Sequence, residues 1–359
     1  MNSSPEYPTP SAWKSVGLHL WAVTAAFGTY FCMYMYRKPF TAATYTAETA
    51  AGWEQWDQKA ILIAAQVVGY MISKFIGIRV VSEVQRSQRA MLLMGLILLS
   101  HAALFLFAIA PAPWHIVCLF LNGLPLGIVF GLVLGFLEGR RMTEALTAGL
   151  CASFILAGGV SKTVGQSVLQ WTQTHWGWSE LVSERWMPFL AGVLFLITIA
   201  GFVAMLAVIP PPTERDETAR SKREPMNRED RMRILRTYAI GLTCIAILYL
   251  LVSIVRGLRD DFAPELLKGL GATVKSSDYA NIDFWVALTV MVVNGAAVFI
   301  RENRIALQSA LLVSAIGFVI TLLAIGLRTY ASISPQMMMV WIGAGLYLPY
   351  VAVHTTIFE

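Results

Sequence analysis

Hydrophobic residues along this chain come in runs of about twenty, separated mostly by short polar breaks. Ten such runs stand out, at residues 16–36, 59–81, 90–110, 114–137, 146–169, 187–209, 237–256, 283–300, 305–327 and 337–358. At 1.5 Å of rise per residue, a helix of that length spans the roughly 30 Å hydrocarbon layer of a bilayer. The pattern therefore predicts an all-α polytopic membrane protein. Segments 38–58 and 170–186 are polar and carry tryptophans, and 257–281 is mixed. Between the sixth and seventh runs lies "PPPTERDETARSKREPMNREDRMR", residues 210–233, a charged stretch punctuated by prolines. It divides the chain into an N-terminal six-helix bundle (1–209), a linker (210–236) and a C-terminal bundle of four helices (237–359).

Composition agrees: 57% of residues are hydrophobic and 14% charged, against about 45–50% and 25% in soluble domains. The net charge of +5 matches the basic cytoplasmic loops of membrane proteins and does not call for nucleic acid. Cys32, Cys118, Cys151 and Cys244 sit singly in apolar runs, with no pair spaced for a metal or a disulfide framework. The five histidines show no metal-ligand spacing either, so neither a metal nor a cofactor is expected. The first apolar run lacks a small-residue cleavage site, and no cleavable signal peptide is expected.

With a cytoplasmic amino terminus, cytoplasmic segments collect sixteen Lys and Arg and outer segments seven. That bias puts the linker on the cytoplasmic side of the cell membrane. The four remaining cations, Arg37, Lys74, Lys162 and Arg256, fall within or at the edge of spans. No Asp or Glu is expected comparably deep. A charge at a span centre costs about 2.5–3.5 kcal/mol on insertion scales, so an anionic ligand is expected to complete the site. The structural alternatives are snorkelling for Arg37, Lys74 and Arg256, and a packing role for Lys162 behind the small-residue stretch "LAGGV".

Residues i, i+4 and i+7 share a helix face. Tyr30, Tyr34 and Arg37 form one such stripe, Tyr249, Ser253 and Arg256 repeat it in the second half, and Gln66, Tyr70 and Lys74 stack on the second helix. Interfacial belts account for tyrosines generally, but stripes that each end in a cation fit a donor-rich cleft better. Tyr347 and Tyr350, with His354 one turn on, are further candidates for that cleft or for packing. The matched spacing in the two halves is an internal repeat of the kind seen in two-bundle transporters.

"YFCMYMYRKPF" resembles the end of the first helix in organophosphate:phosphate antiporters of the major facilitator superfamily, where an aromatic run leads into Arg-Lys-Asn-Phe; Pro39 replaces the Asn here. "GYMISKFIGI" is similar to their second helix at Ser73, Lys74 and Phe75. "VRGLRDDFAP" fits their Arg-x4-Asp-x2-Pro pattern at Arg256, Asp261 and Pro264. The resemblance implies the two-bundle major facilitator fold, phosphate binding by Arg37 and Arg256, and a supporting role for Lys74. Ser153 stands where that family has a substrate-site histidine, Lys162 has no family role, and the turn around Glu83 matches loosely. These departures point to an outlying branch. Ten spans of an expected twelve would make this an incomplete chain.

The expected function is secondary active transport of a small organic anion, most simply phosphate-bearing, by a monomer in the lipid bilayer. The alternative is a non-transporting sensor or receptor of the same fold. An integral-membrane enzyme would need a nucleophile beside a base, and the spans offer none.

Overall fold

A computed structural model describes residues 12–45, 57–137, 143–210, 228–297, 303–330 and 333–356. Its helices are α1 (Ala12–Tyr34), a 3-10 turn (Pro39–Ala42), α2 (Gln58–Glu83), α3 (Arg86–Ile109), α4 (Trp114–Leu137), α5 (Thr143–Trp176) and α6 (Glu180–Ala207). They continue with α7 (Arg228–Thr237), α8 (Ala239–Asp261), α9 (Ala263–Gly269), α10 (Ser276–Ala297), α11 (Asn303–Tyr330) and α12 (Pro335–Thr356). Over the described residues, each of the ten apolar runs falls mainly on one of these helices. Among the described residues, six helices (α2, α3, α4, α6, α8 and α11) are long and apolar enough to cross a membrane. The protein is an integral membrane protein with an all-helical fold.

The charged linker is not wholly irregular. Residues 211–227 lie outside the described residues, but from Arg228 the chain is helical. Glu229 and Asp230 in the first turn and Arg236 in the last complement the dipole of α7. Elsewhere helix starts are set by side-chain caps: Asp57 accepts from the Ala60 amide at 2.8 Å ahead of α2, and Ser179 caps α6 through Val182.

In the first group of helices, α2 packs on α4, α3 on α4 and α6, and α1 on α4, α5 and α6; in the second, α12 packs on α8, α10 and α11. The groups meet where α5 lies along α10 and touches α12. Small residues permit the tightest approaches, as expected where lipid replaces water and packing drives association. A Cβ on Gly69 or Gly123 would sit 2.2 Å from a carbonyl oxygen of the facing helix, Phe120 or Gln66 respectively. On the seam between groups, a Cβ on Gly159 would sit 2.2 Å from the Tyr279 carbonyl oxygen.

Contacts between connections fix the two ends of the bundle. At one, Glu184 accepts from the Thr44 and Tyr45 amides, Arg185 donates to Ala110 O and Arg328 to Leu270 O. This is the α1–α2 end. At the other, Arg86 donates to the Ile209 and Pro210 carbonyls and Arg89 to that of Gly135.

Candidate functional site

Two charged zones lie between the helix groups. The first gathers most of the residues singled out from the sequence. Helix α1 ends at Tyr34, and a turn closed by Arg37 N donating to Tyr34 O (3.1 Å) carries the chain to Arg37. The Arg37 guanidinium lies 3.9 Å from the centre of the Tyr70 ring and 5.8 Å from that of Tyr34. From the other group, the Arg256 guanidinium lies 4.4 Å from the Tyr350 ring and 5.2 Å from the Tyr347 ring, and donates to the Tyr347 hydroxyl at 3.2 Å. Tyr34 is within electrostatic reach of both arginines, and Tyr70 of both arginines and Lys74. The structure thus brings Arg37 and Arg256 to one cluster of tyrosines from opposite halves.

Tyr30 stacks edge-on against Tyr34, 5.6 Å between ring centres, and lies within electrostatic reach of Tyr70. Tyr249 stacks on Tyr350 at 5.3 Å, which places it and half-buried Ser253 behind Arg256. The Lys74 ammonium lies 5.1 Å from the Tyr70 ring, and the residue is exposed. The His354 side chain lies outside the described residues. Both arginines are half-buried, the Nε of each has no hydrogen-bond partner, and among the described residues neither they nor Lys74 pair with a carboxylate. Cationic guanidiniums on tyrosine faces gain a cation–π contribution of up to about 2 kcal/mol each when desolvated; Arg256 gives one N–H to Tyr347, and among the described residues no carboxylate occupies either fork.

The backbone beneath Arg37 is held by a network of which the sequence singled out only Gln66. Gln66 Nε2 donates to the Arg37 carbonyl at 2.9 Å and to Asn122 Oδ1 at 2.7 Å. Asn122, fully buried on α4, donates to the Tyr36 carbonyl (3.1 Å) and to the Ser100 hydroxyl (2.7 Å). Side chains of α2 and α4 therefore hold the two carbonyls that flank the Arg37 turn, with Ser100 of α3 behind Asn122.

The second zone overturns one expectation. Acidic residues do lie deep, and Lys162 is not an unpaired cation. Its ammonium, 1% exposed, contacts Asp260 at 2.5 Å and the Gly158 carbonyl at 3.2 Å. Helix α8 runs five residues beyond Arg256, so that Arg256 is inside the helix and not at its end. The extra turn carries Arg259, Asp260 and Asp261 inward, and all three are buried. Lys38 pairs with Asp261 and, at 3.3 Å, with Asp260. Lys59 pairs with Glu265 at 2.6 Å, and Arg259 with Asp283 at 2.8 Å. The partners are up to 223 residues apart in sequence, which hides them from span-by-span reading. The triplet Arg259-Asp260-Asp261, one turn after Arg256, was the available signal.

No curated protein matches the chain. Among solved structures, that of a D-xylose–proton symporter aligns with a TM-score of 0.56 at 13% identity, covering 95% of this chain and 81% of the symporter. The likeness shows a shared fold, the major facilitator-type arrangement expected from the sequence. A family model described as a family of unknown function (DUF5690) matches residues 39–359, most of the length, and the chain belongs to that family.

Proposed function

We propose that this protein is a secondary active transporter for a small organic anion, most simply a phosphate-bearing one, working by alternating access. The observation that carries the reading is the pair of half-buried arginines, one from each half, facing one space without a carboxylate partner. A guanidinium fork binds phosphate or carboxylate oxygens bidentately. An anion between Arg37 and Arg256 offsets their repulsion and draws the halves together. That differential binding energy is what a ligand needs in order to shift a conformational equilibrium. The tyrosines would orient the anion through their hydroxyls, and Lys74 would add a third charge at the margin. Lys162, committed to Asp260, belongs to the closure between the halves and not to the anion's first contacts. The shared fold with a proton symporter supports transport as the activity. The excess of basic residues in segments assigned to the cytoplasm supports an inner face at the α7 end and an outer face at the α1–α2 end.

The test is thermal stabilisation of the purified protein by inorganic phosphate, three- and six-carbon phosphate esters and dicarboxylates, followed by flux of the best ligand into sealed vesicles. Stabilisation by one class, lost in Arg37→Ala and in Arg256→Ala, is the expected result. Binding without flux would mark a sensor, and no stabilisation by any anion would overturn the reading.

A further inference from the structure

The ion pairs of the second zone divide between the halves in a telling way. Lys38, Lys59 and Lys162 come from the first half; their partners Asp260, Asp261 and Glu265 come from the second. The interface at the α1–α2 end is neutral only while the halves are together. Parting them there strands three ammonium groups on one side and three carboxylates on the other, while Arg259–Asp283 stays intact within the second half.

The stranded carboxylates are not equivalent. The Glu265 side chain is 34% exposed and already meets solvent, whereas that of Asp260 is 4% exposed. Asp260 also faces a second carboxylate. A Cβ on Gly158 would lie 3.1 Å from Asp260 Oδ1 and 3.2 Å from Asp283 Oδ2, so the two acids converge on one point. The groups that pair with Asp260 are Lys162 on α5 and Lys38 after α1, with Arg259 close by on its own helix. Facing the same cluster are Asp261 on α8, Glu265 on α9, Tyr279 and Asp283 on α10, Tyr347 on α12, Lys59 on α2, and Arg37 and Arg256 in the anion zone. Once both lysines withdraw, the guanidinium of Arg259 faces three buried carboxylates, Asp260, Asp261 and Asp283. One proton on Asp260 balances the trio Asp260–Arg259–Asp283, in which the two acids converge on one point. A cavity of about 10 Å³, lined by Lys162, Arg259, Asp260 and Asp283, has room for about one water molecule to deliver it.

We propose that Asp260 is a proton-binding site, filled from the adjoining water when the halves part at the α1–α2 end and emptied when Lys162 and Lys38 return. The step is a protonation only: a carboxylate takes H⁺ from solvent on opening and gives it back on closing. It deepens the transporter reading by naming the proton as a second ligand linked to the conformational cycle. The sign follows from linkage. The open form binds a proton that the closed form does not, so acid favours opening, with the open-to-closed ratio rising by up to tenfold per pH unit for one proton.

The test needs no anion, so its failure is separable from failure of the anion site. Spin labels at Thr174→Cys and Thr273→Cys, exposed positions in the two halves at this end, report opening in vesicles of otherwise cysteine-free protein from pH 4.5 to 7.5. The expected result is a longer distance population that grows on acidification, becomes dominant at all pH values in Asp260→Asn, and keeps its pH dependence in Glu265→Gln. Should Asp260→Asn not fold, Lys162→Gln serves: with one ammonium gone, opening is expected at higher pH than in the unsubstituted protein. A pH-independent distance distribution, or a pH response unchanged in Asp260→Asn or Lys162→Gln, overturns the proposal.

Discussion

Replacing Asn122 by Ala tests whether the buried amide network positions Arg37. The Asn122 side chain has two amide hydrogens and a carbonyl oxygen with two lone pairs, a capacity of about four hydrogen bonds, and the structure offers partners for three. These are the Tyr36 carbonyl at 3.1 Å, the Ser100 hydroxyl at 2.7 Å or its carbonyl at 3.1 Å, and the Gln66 amide at 2.7 Å. Hydrogen bonds between membrane helices average about 0.6 kcal/mol and reach about 1.7. Three of them lost give a destabilisation of about 2–5 kcal/mol, read by reversible unfolding in mixed detergent micelles. The functional consequence is separate. With Tyr36 O unpaired and Gln66 freed on one side, the turn that aims Arg37 loosens, and displacement of a bidentate fork by about 1 Å weakens anion binding on the order of tenfold to a hundredfold. Ser100→Ala removes only one acceptor on the far side of the network and leaves the bonds to Tyr36 and Gln66. Its anion response should therefore stay close to that of the unsubstituted protein. An Asn122→Ala protein that loses less than about 0.5 kcal/mol and binds the anion normally would refute the reasoning.

Arg256→Lys keeps the charge but removes the fork, so anion stabilisation should weaken by at least about tenfold, with a larger loss in Arg256→Ala; equal affinity in the Lys variant would show that charge alone suffices. Asp283→Leu leaves Arg259 buried without its carboxylate and should cost about 3–5 kcal/mol, most of it recovered in Asp283→Leu with Arg259→Leu, as a double-mutant cycle of unfolding would read. Gly159→Ala places a methyl 2.2 Å from the Tyr279 carbonyl, and the α5–α10 seam must widen. We expect a cost of at least about 1–3 kcal/mol and a higher fraction of the separated state in the spin-label assay, whereas Gly295→Ala, with open space around it, should be neutral.

Much of the protein was legible from local pattern, because a bilayer imposes strict local rules. Backbone polar groups must be satisfied within each span, so apolar runs of about twenty residues read directly as helices, and over the described residues each of the ten runs lies mainly on one. The aromatic stripes that end in Arg37 and Arg256 were visible for a related reason: helical periodicity is a property of neighbouring residues, and it put the tyrosines and the cations on one face. What the sequence could not decide was which charges are already neutralised. Arg37, Lys74, Lys162 and Arg256 look alike when each span is read alone. Pairing depends on where α8 stops and on what faces it across the interface. Because α8 continues to Asp261, its last turn reaches Lys162 on α5 and Lys38 beyond α1, from 98 and 223 residues away. Tertiary structure therefore sorted four equivalent-looking cations into a lysine satisfied between the halves and two arginines, with a marginal lysine, left facing a shared space. Electrostatic energy depends on distance through space, and sequence separation carries no measure of it.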